Sequence, residues 1–511
     1  MDGATLPATN RPGFFPAAAL IAFIFFLKFA VYAWMVTPLW DIPDESGHYS
    51  YANDVSKGKF PLLGKAKIDL EVERSWKNPR ARPQGNWIAQ HPPLFYVLDA
   101  PAIIAARAMD MDFEQQVRAA RMPAALFGSL AVLGLALFLG LATGSRELGL
   151  AGAIFFGATP MFTHLSTGVS HDTLVACTAA WAAYWIARWL QSNRFRHVLY
   201  AGALAGLCSI TKITGLAMAI PLFLAISWRL WRVPVAAAYP WGSPLLRNNA
   251  VLQWMARSST LWLVMFVPTC LWIARNVIHF GNMFPNASSL HPVAAVPIGF
   301  FEFMTRFPVW QHIVLNFVAL VGWNGSGNGA LHWIQADGAL ARYFLAILGA
   351  GSLAAALAPI LARLQEIPRH VIGAAMLASV ICGYAWWPLQ HLAEWTCVLL
   401  LVALAATLST HARPLWRGDS AGWLLAAGAA CVMFFLLAYY ETLRDNFGGI
   451  MRATHGRYVY PVVPFLLLVL LWPLKERWPA RLMMCSAVGA MLVADAFFLR
   501  QVFAMYGQLP G

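Results

Sequence analysis

The stretch PPLFYVLDAPAIIAARAM, residues 92–109, decides the fold of this chain, because the orientation of every later segment depends on whether it crosses a membrane. It is as long as a membrane-spanning helix but has Asp99 near its centre. Similar apolar runs lie on both sides of it, and the 511-residue chain is 59% hydrophobic and only 12% charged. A soluble domain carries about 25% charged residues. Since helices satisfy their own backbone hydrogen bonds in lipid, the sequence predicts an all-α integral membrane protein.

About thirteen other apolar segments are predicted to cross the membrane as helices. They are 14–37, 118–141, 148–163, 172–191, 197–211, 213–231, 258–275, 340–362, 371–389, 394–410, 420–440, 458–474 and 482–503. The first segment is longer than the core of a signal peptide and is predicted to be an uncleaved signal anchor.

The charges of the short loops determine whether residues 92–109 span. If they do not, every short loop on one side of the membrane carries Arg or Lys, as cytoplasmic loops do. These residues are Arg146, Arg188, Arg194, Arg196, Arg229, Arg232, Arg247, Arg257, Arg363, Arg369, Arg413, Arg417, Lys475, Arg477 and Arg481. If the stretch did span, the loop around Arg194 would face outside. Residues 92–109 are therefore predicted to be a re-entrant or juxtamembrane helix on the outer face, with Asp99 buried against protein.

This arrangement predicts a multi-pass protein of the cell membrane with a cytoplasmic N-terminus and an exoplasmic C-terminus. Residues 1–275 are predicted to form a catalytic module that includes a large first exoplasmic loop, 38–117. A second exoplasmic loop follows at 276–339, with a further juxtamembrane helix over 307–323. Residues 340–511 are predicted to form a C-terminal transmembrane module.

Charge argues against nucleic-acid binding, and cysteine usage argues against a disulfide framework or a cysteine metal site. The formal net charge of +13 is explained by cytoplasmic loop cations, and no basic run with interleaved aromatic residues predicts nucleic-acid binding. The seven cysteines lie in apolar runs without CxxC spacing, so they are predicted to be small core residues. They are Cys177, Cys208, Cys270, Cys382, Cys397, Cys431 and Cys485.

Polar residues collect at the helix ends that face the outer side, and they are the candidate site. They are Asp44, Glu45, His48, His91, Asp172, Lys212, Arg275, Arg457 and Tyr458, with His171 beside Asp172. Asp44, His48, Tyr51 and Val55 share one helix face. A carboxylate beside apolar membrane and a histidine suits a general base. The alternative is that Asp44 and Glu45 only cap a helix that begins at Pro43.

Each of the other candidate site residues also allows two interpretations, one functional and one structural. Lys212 and Arg457 could neutralise a phosphate, or they could reach lipid headgroups. Asp172 could line the site or cap its helix. No cofactor is certain, although a divalent metal held by His48, His91 and His171 is a further alternative. Lys28 and Asp495 lie within predicted spans and are functional candidates by position.

Six motifs together resemble the polytopic glycosyltransferases of the C superfamily (GT-C), in particular the protein O-mannosyltransferase-like and lipid A aminoarabinose transferase-like enzymes. The motifs are PDESGHYSYANDVSKGKFP (43–61), HPPLFYVLDAP (91–101), SHDTL (170–174), LCSITKITGLAM (207–218), RNVIHFGNMFP (275–285) and HGRYVYPVVP (455–464). Two positions depart from many aminoarabinose-type members, which have Lys at Gln90 or His91 and Asn or Thr at His171. These departures leave the identity of the sugar and of the acceptor open.

The resemblance implies transfer of a sugar from a polyprenyl-phosphate carrier to a hydroxyl of a glycan, lipid or protein, with inversion. Asp44 would be the base with Glu45 beside it, and Lys212 and Arg457 would neutralise the leaving phosphate. His91 and Asp172 would line the cavity. Two rival functions remain at this stage. One is a secondary transporter or flippase, which would place polar groups near the bilayer midplane. The other is a non-catalytic member of the same fold.

Overall fold

The computed structural model describes most of the chain, with gaps. The described residues are 13–76, 85–192, 194–232, 250–286, 298–306, 313–315, 317, 320–323, 333–335, 338–361, 388–412, 420–447, 455–472, 487–489, 491–496 and 499–500.

Helices make up nearly all of the described N-terminal part. They are α1 (Phe14–Val31, continued by a π turn, Tyr32–Val36), α2 (Glu45–Ser56), α3 (Leu70–Ser75), α4 (Leu94–Ala108), α5 (Phe113–Ala120), α6 (Met122–Thr143), α7 (Arg146–Ala158), α8 (Pro160–Leu165), α9 (Asp172–Ser192), α10 (Phe195–Thr211), α11 (Ala219–Arg232) and α12 (Ala250–Phe280). Two 3-10 turns, Trp87–Gln90 and Ile213–Met218, lie among them.

The described C-terminal part continues this pattern. It contains α13 (Phe300–Arg306), α14 (Gly338–Leu361), α15 (Leu389–Ala412), α16 (Ser420–Phe447), a 3-10 segment (Gly456–Val462) and α17 (Val463–Leu471). One antiparallel pair of short strands, β1 (Leu320–Trp323) and β2 (Trp333–Gln335), is the exception to the all-α prediction. The fold class predicted from the sequence is confirmed, with this small hairpin added.

The chain is a multi-pass membrane protein. Among the described residues five helices are long and apolar enough to span, and they are Phe14–Val36, Phe113–Thr143, Ser258–Phe280, His391–Ser409 and Ser420–Arg444. Four shorter apolar helices lie at other predicted spans. The predicted span 371–389 lies almost wholly outside the described residues. The predicted span 148–163 is broken at Thr159, where α7 ends and α8 begins.

Most of residues 92–109, the stretch on which the predicted topology depends, form helix α4. It packs on α2 and α5, and it is not among the candidate spans of the described chain. Asp99 is fully buried, whereas Val97, Leu98 and Ile104 are about half exposed. The helix is thus amphipathic, as a juxtamembrane helix requires. Asp99 lies against protein, as predicted.

Two predictions are wrong. A juxtamembrane helix cannot extend over the whole predicted range 307–323, because residues 320–323 form β1. Tryptophan and valine are common in strands as well as in interfacial helices, so the apolar run alone does not distinguish the two structures. Cys270 is not a core residue, because it is exposed on α12. It lies in a helix that spans a membrane, where an apolar side chain can face lipid at no cost.

The described residues form two hydrophobic cores, one among the spanning helices and one within the first loop. The larger core lies between α1, α6, α7, α9, α10 and the C-terminal helices. The smaller one contains aromatic residues of the loop, among them Trp40, Tyr49, Tyr51, Phe95 and Tyr96. Because this second core is built from α2, α4 and α5, the loop is a packed unit that holds α2 in one place.

A buried ion pair joins the first loop to the spanning helices. The Arg121 Nε donates to Glu45 Oε1 at 2.8 Å and its Nη2 to Glu45 Oε2 at 2.9 Å, and neither side chain has any exposure. Arg121 also donates to the carbonyls of Ala33, Thr37 and Pro38, which end the first span. All of its donors are used, so the start of α2 is fixed against the end of the first span.

A second, partly buried ion pair links α1 to the described C-terminal segment. Lys28 and Asp495, for which the sequence offered no partner, lie 2.6 Å apart between α1 and the C-terminal segment. The Lys28 Nζ also donates to Thr163 Oγ1 at 3.2 Å. This pairing gives both charges a structural explanation.

Candidate active site

Asp44 lies at the start of α2 in an unusual backbone conformation. Its φ of 65° and ψ of 11° fall in the left-handed region, which non-glycine residues rarely adopt and which is often found at functional sites. Its side chain makes no capping hydrogen bond. The carboxylate instead leaves the helix end and faces two other segments. The alternative in which Asp44 only caps the helix is therefore wrong.

Trp87 holds one oxygen of that carboxylate. Its Nε1 donates to Asp44 Oδ1 at 3.1 Å. The contact depends on the close approach of α2 to the 3-10 turn, since a Cβ on Gly47 would lie 2.6 Å from Ile88. The Asn86 side chain fixes the approach by donating to the Gly47 carbonyl at 3.0 Å.

The other carboxylate oxygen of Asp44 is the first member of a chain of alternating negative and positive groups. The Arg457 Nη2 donates to Asp44 Oδ2 at 2.6 Å, and Arg457 Nη1 lies 3.6 Å from Asp172 Oδ2. The Lys212 Nζ donates to Asp172 Oδ1 at 2.6 Å. Four of the predicted site residues thus form one cluster, although they come from α2, the end of α10, the start of α9 and the 3-10 segment before α17.

Burial decides between the alternative readings of the two cations. Lys212 is 3% exposed and Arg457 is 4% exposed, so neither reaches lipid headgroups. The Lys212 Nζ lies 4.2 Å from the centre of the Tyr458 ring, a favourable cation–π contact. Asp172 is the first residue of α9 and is fully buried, and its carboxylate pairs with Lys212.

The charge cluster keeps Asp44 ionised. Burial favours the neutral acid, but the Arg457 guanidinium, its hydrogen bond and the neighbouring His48 outweigh that effect and lower the pKa of Asp44 to about 2. At neutral pH the carboxylate is negative and can accept a proton. Its affinity for that proton is low for as long as Arg457 is bound to it.

Three histidines form a second group beside the charges. The ring centres of His48 and His91 lie 4.6 Å and 4.5 Å from that of His171. The His48 Nδ1 lies 2.9 Å from Tyr96 Oη and 3.3 Å from His171 Nδ1. Burial lowers the pKa of all three, that of His48 to about 3, so the rings are neutral at neutral pH.

Several polar atoms of the site are buried and have no hydrogen-bond partner among the described residues. They are Arg457 Nε and Nη1, His48 Nε2, His171 Nε2 and Asp172 Oδ2. Leaving such groups unsatisfied is costly, and native sites that do so usually serve a ligand. The two Arg457 nitrogens in this set are donors on a cation, which suits an anion.

The geometry of the site supports a bound metal ion less well than a bound anion. Within the described chain, no group of three or more His, Cys, Asp or Glu side chains is arranged to hold a metal ion. The facing Nδ1 atoms of His48 and His171 hydrogen-bond to each other or to Tyr96. The chemistry of the donor set therefore suits an oxyanion better.

Two predicted site residues lie apart from the cluster. Glu45 is used entirely by Arg121 and by the backbone N–H groups of Trp40 and Val169. This geometry favours a positioning role over a shared role as base. Arg275 donates to the Pro61 carbonyl at 3.0 Å and contacts no member of the Asp44–Lys212 chain through a hydrogen bond or ion pair that the structure describes.

Sequence reasoning missed Trp87, Tyr96 and Arg121. Arg121 lies in the first turn of the predicted span 118–141, where nothing local distinguishes it from a cation at the membrane surface. Trp87 lies four residues before the motif HPPLFYVLDAP (91–101), and only the packing of Gly47 on Ile88 brings it to Asp44. No spacing rule would have found either residue.

Comparison with known proteins gives one family match. Residues 100–272, about a third of the chain, match the sequence profile of the family described as dolichyl-phosphate-mannose-protein mannosyltransferase. This segment carries Arg121, His171, Asp172 and Lys212, whereas Asp44 and Arg457 lie outside it. No curated protein sequence matches the chain.

Solved structures of three GT-C enzymes are similar to this one. The S. cerevisiae protein O-mannosyltransferase Pmt1-Pmt2 complex bound to the sugar donor is 18% identical over 55% of this chain and 36% of its own, with a TM-score of 0.38. The oligosaccharyltransferase AglB from Archaeoglobus fulgidus, in complex with an inhibitory peptide and a dolichol-phosphate, is 12% identical over 99% and 57%, with a TM-score of 0.45. ArnT from Cupriavidus metallidurans is 14% identical over 91% and 76%, with a TM-score of 0.33.

These likenesses are limited. All three TM-scores are below 0.5, so no detail of the site is taken from them. The chain spans only 36% and 57% of the length of the first two structures.

Proposed function

We propose that this GT-C protein transfers a sugar from a polyprenyl-phosphate carrier to an acceptor hydroxyl, with Asp44 as the general base. The observation that carries the proposal is the Asp44 carboxylate, which is ionised and 18% exposed, next to two buried cations. The family of residues 100–272 is named for a dolichyl-phosphate sugar donor, which is chemistry of the same class.

The chemistry balances as a single displacement. Asp44 takes the proton of the acceptor hydroxyl while the acceptor oxygen attacks the anomeric carbon. The bond from that carbon to the phosphate oxygen breaks, and the phosphate leaves with the electron pair. Arg457 and Lys212 neutralise the charge that develops on it. Attack opposite the leaving group inverts the anomeric carbon, and no protonating acid is needed.

Arg457 links donor binding to the basicity of Asp44. In the described structure it is paired with Asp44 at 2.6 Å, while its Nε and Nη1 have no hydrogen-bond partner among the described residues. A phosphate that draws the guanidinium toward itself weakens the pair with Asp44. The pKa of Asp44 then rises, because burial favours its neutral form. The base becomes effective only when the donor is present.

The site draws on both predicted modules. Asp44, Asp172 and Lys212 belong to residues 1–275, whereas Arg457 and Tyr458 belong to residues 340–511. The proposed catalytic unit therefore includes the start of α17 as well as the N-terminal module. We propose that this unit faces the exoplasmic side of the cell membrane, a proposal that the distribution of loop arginines supports. The acceptor class remains a glycan, a lipid or a protein at this level.

The test compares two substitutions on α2. Asp44→Asn keeps the shape of the side chain but removes the base, and we expect sugar transfer in membranes to fall by about 10²–10⁴-fold. Asp54→Asn, on the same helix and half-buried, is the matched control and retains wild-type transfer. Transfer is measured from a radiolabelled polyprenyl-phosphate sugar after expression and folding of each variant are verified.

The outcomes separate the rival functions. A folded Asp44→Asn protein with wild-type transfer would exclude Asp44 as the base. If neither the wild type nor the variant transfers label, but the labelled lipid crosses the bilayer of proteoliposomes, the protein is a flippase. A non-catalytic member would bind the donor without either activity.

A further inference from the structure

Two of the three histidines beside the charge cluster face each other through the same ring nitrogen. His48 Nδ1 and His171 Nδ1 lie 3.3 Å apart, and the Tyr96 hydroxyl lies 2.9 Å from the first and 3.5 Å from the second. All three side chains are buried. Burial lowers the pKa of both histidines, so both rings are neutral at neutral pH. A neutral imidazole carries one ring proton, either on Nδ1 or on Nε2.

The contact between the two Nδ1 atoms couples the protonation of the two rings. Two lone pairs, or two N–H groups, would repel each other at this distance, so one Nδ1 donates and the other accepts. The Tyr96 hydroxyl, which can do both, joins the same chain of hydrogen bonds. A ring that is protonated on Nδ1 has a bare Nε2, and the converse also holds. In either direction of the chain, the pair therefore presents one N–H and one lone pair at its Nε2 atoms.

Asp172 decides which ring carries the outer N–H. His171 Nε2 lies 3.7 Å from Asp172 Oδ1, and a carboxylate oxygen attracts an N–H but repels a lone pair. His171 is therefore protonated on Nε2, and the Nε2 of His48 is bare. Both Nε2 atoms are buried, and neither has a hydrogen-bond partner among the described residues. A buried donor and a buried acceptor that are both left open indicate a ligand that satisfies them.

These two atoms flank the position of the donor sugar. In the proposed function, on which this inference rests, the anomeric carbon lies between the acceptor hydroxyl at Asp44 and the carrier phosphate at Lys212. His48 follows Asp44 by one turn of α2, so the two side chains share a helix face. His171 directly precedes Asp172, whose carboxylate holds Lys212 at 2.6 Å. One histidine is thus next to the base and the other is next to the phosphate site.

We infer that His48 and His171 bind hydroxyl groups of a neutral donor sugar and determine specificity for it. Hydroxyls both donate and accept, so they satisfy the bare Nε2 of His48 and the N–H of His171 together. An ammonium group only donates, and it leaves the N–H of His171 unpaired. A carboxylate only accepts, and it leaves His48 unpaired. Because a buried group without a partner is costly, the pair selects against amino sugars and sugar acids.

The test measures binding of the donor without an acceptor, so that the result does not depend on turnover. The probes are undecaprenyl phosphate esters of glucose, galactose, mannose and glucuronic acid, and dissociation constants are measured for the full-length protein in detergent micelles. For the hexose that binds most tightly, one hydroxyl at a time is replaced by hydrogen or by an amino group. Hydrogen is expected to weaken binding about tenfold where the hydroxyl meets either histidine. An amino group weakens it where the hydroxyl meets His171.

Variants assign these losses to the two rings. His48→Leu and His171→Leu each bind the hexose donor about tenfold more weakly, and each becomes indifferent to replacement of the hydroxyl that its ring held. His48→Gln supplies an amide oxygen as acceptor and restores the loss at that hydroxyl. His197→Leu is the matched control and keeps the full pattern. His197 is also buried and bonded to Ser192 Oγ, but it lies beyond the far end of α9, roughly 30 Å from Asp172.

Each outcome decides between the two claims. Equal binding of all the analogues, or an unchanged pattern in the folded His48→Leu and His171→Leu proteins, overturns the inference. Tightest binding of glucuronic acid or of an amino sugar also overturns it, and sugar transfer alongside any of these results leaves the proposed function standing. The expected pattern without sugar transfer contradicts the proposed function but supports the binding site. A protein that binds none of the probes contradicts both.

Discussion

Arg457 Nη2 lies 2.6 Å from Asp44 Oδ2, a contact between residues 413 positions apart in the sequence. It joins the start of α2 to the segment before α17, and the guanidinium opposes the effect of burial, which raises the pKa of Asp44. Two carboxylates, Asp44 and Asp172, balance the cations Arg457 and Lys212. In the proposed function, the donor phosphate therefore competes with protein carboxylates for these two cations.

Arg457→Gln is expected to change both the rate and its pH dependence. Loss of one donor to the leaving phosphate lowers transfer by about 10²–10³-fold. Without the guanidinium, burial dominates and the pKa of Asp44 rises from about 2. The residual activity therefore gains an acid limb at a higher pH than in the wild type, and rates from pH 4 to pH 8 measure it. Matching pH profiles of the two proteins would contradict the proposed coupling.

Glu45→Gln is expected to reduce stability, with activity lost only in proportion. The ion pair with Arg121 is fully buried, and breaking such a pair costs about 3–5 kcal/mol. Arg306→Gln breaks an exposed pair with Glu302 and costs about 0–1 kcal/mol, so it is the control. Unfolding in mixed micelles gives the free energies, and transfer is measured per folded molecule. A stable Glu45→Gln protein without activity would return Glu45 to a catalytic role.

The buried histidines are expected to make the folded protein sensitive to mild acid. Burial lowers the pKa of both His48 and His455 to about 3 from 6.5. Between these values the unfolded chain binds protons that the folded chain does not, so stability falls as pH decreases below about 6.5. Asp44 acts in the same direction but at lower pH, since its pKa falls from 3.8 to about 2 and the stability from its ion pair is lost only as pH falls from about 4 toward 2.

Melting temperatures between pH 7 and pH 5 measure this sensitivity. His48→Gln is expected to reduce the slope, while Asp44→Asn leaves it nearly unchanged in this window. An equal slope in the wild type and the His48→Gln variant would show that His48 is not the group that titrates.

The pair between Lys28 and Asp495 is expected to hold the C-terminal segment against α1. Lys28→Met or Asp495→Leu leaves one partly buried charge without its partner and destabilises the protein. The double variant recovers most of the loss, with a coupling energy of about 0.5–3 kcal/mol in a double-mutant cycle. Additive losses would indicate that the two residues do not interact in the membrane.

Accessibility to an impermeant maleimide tests the orientation of the chain. Met109 is 68% exposed at the end of α4, and a cysteine placed there is expected to react in intact cells. A cysteine at Arg146, in a loop assigned to the cytoplasm, reacts only after the membrane is opened. Both are made in a Cys270→Ser background, because Cys270 is itself exposed. The reverse pattern would invert the topology and move the site to the cytoplasmic face.

The sequence by itself determined the class of the fold and predicted the four charged residues that the structure brings together. Apolar runs at the length of a bilayer crossing allow only helices, and loop arginines indicate sidedness without any tertiary contact. These signals are local, because hydropathy and charge act over a single segment. They also placed Asp44, Asp172, Lys212 and Arg457 on one side of the membrane before any contact between them was known.

Only the tertiary structure decided which of these residues act together. Asp44 and Glu45 are neighbours in sequence, but one carboxylate meets Arg457 and the other meets Arg121. The left-handed conformation at Asp44 turns the two side chains apart. Arg275 matched the other cations in its sequence setting, but it donates to the Pro61 carbonyl and lines a cavity with Tyr51, Phe60 and Trp272. Such choices depend on packing between segments far apart in the chain, which no local pattern encodes.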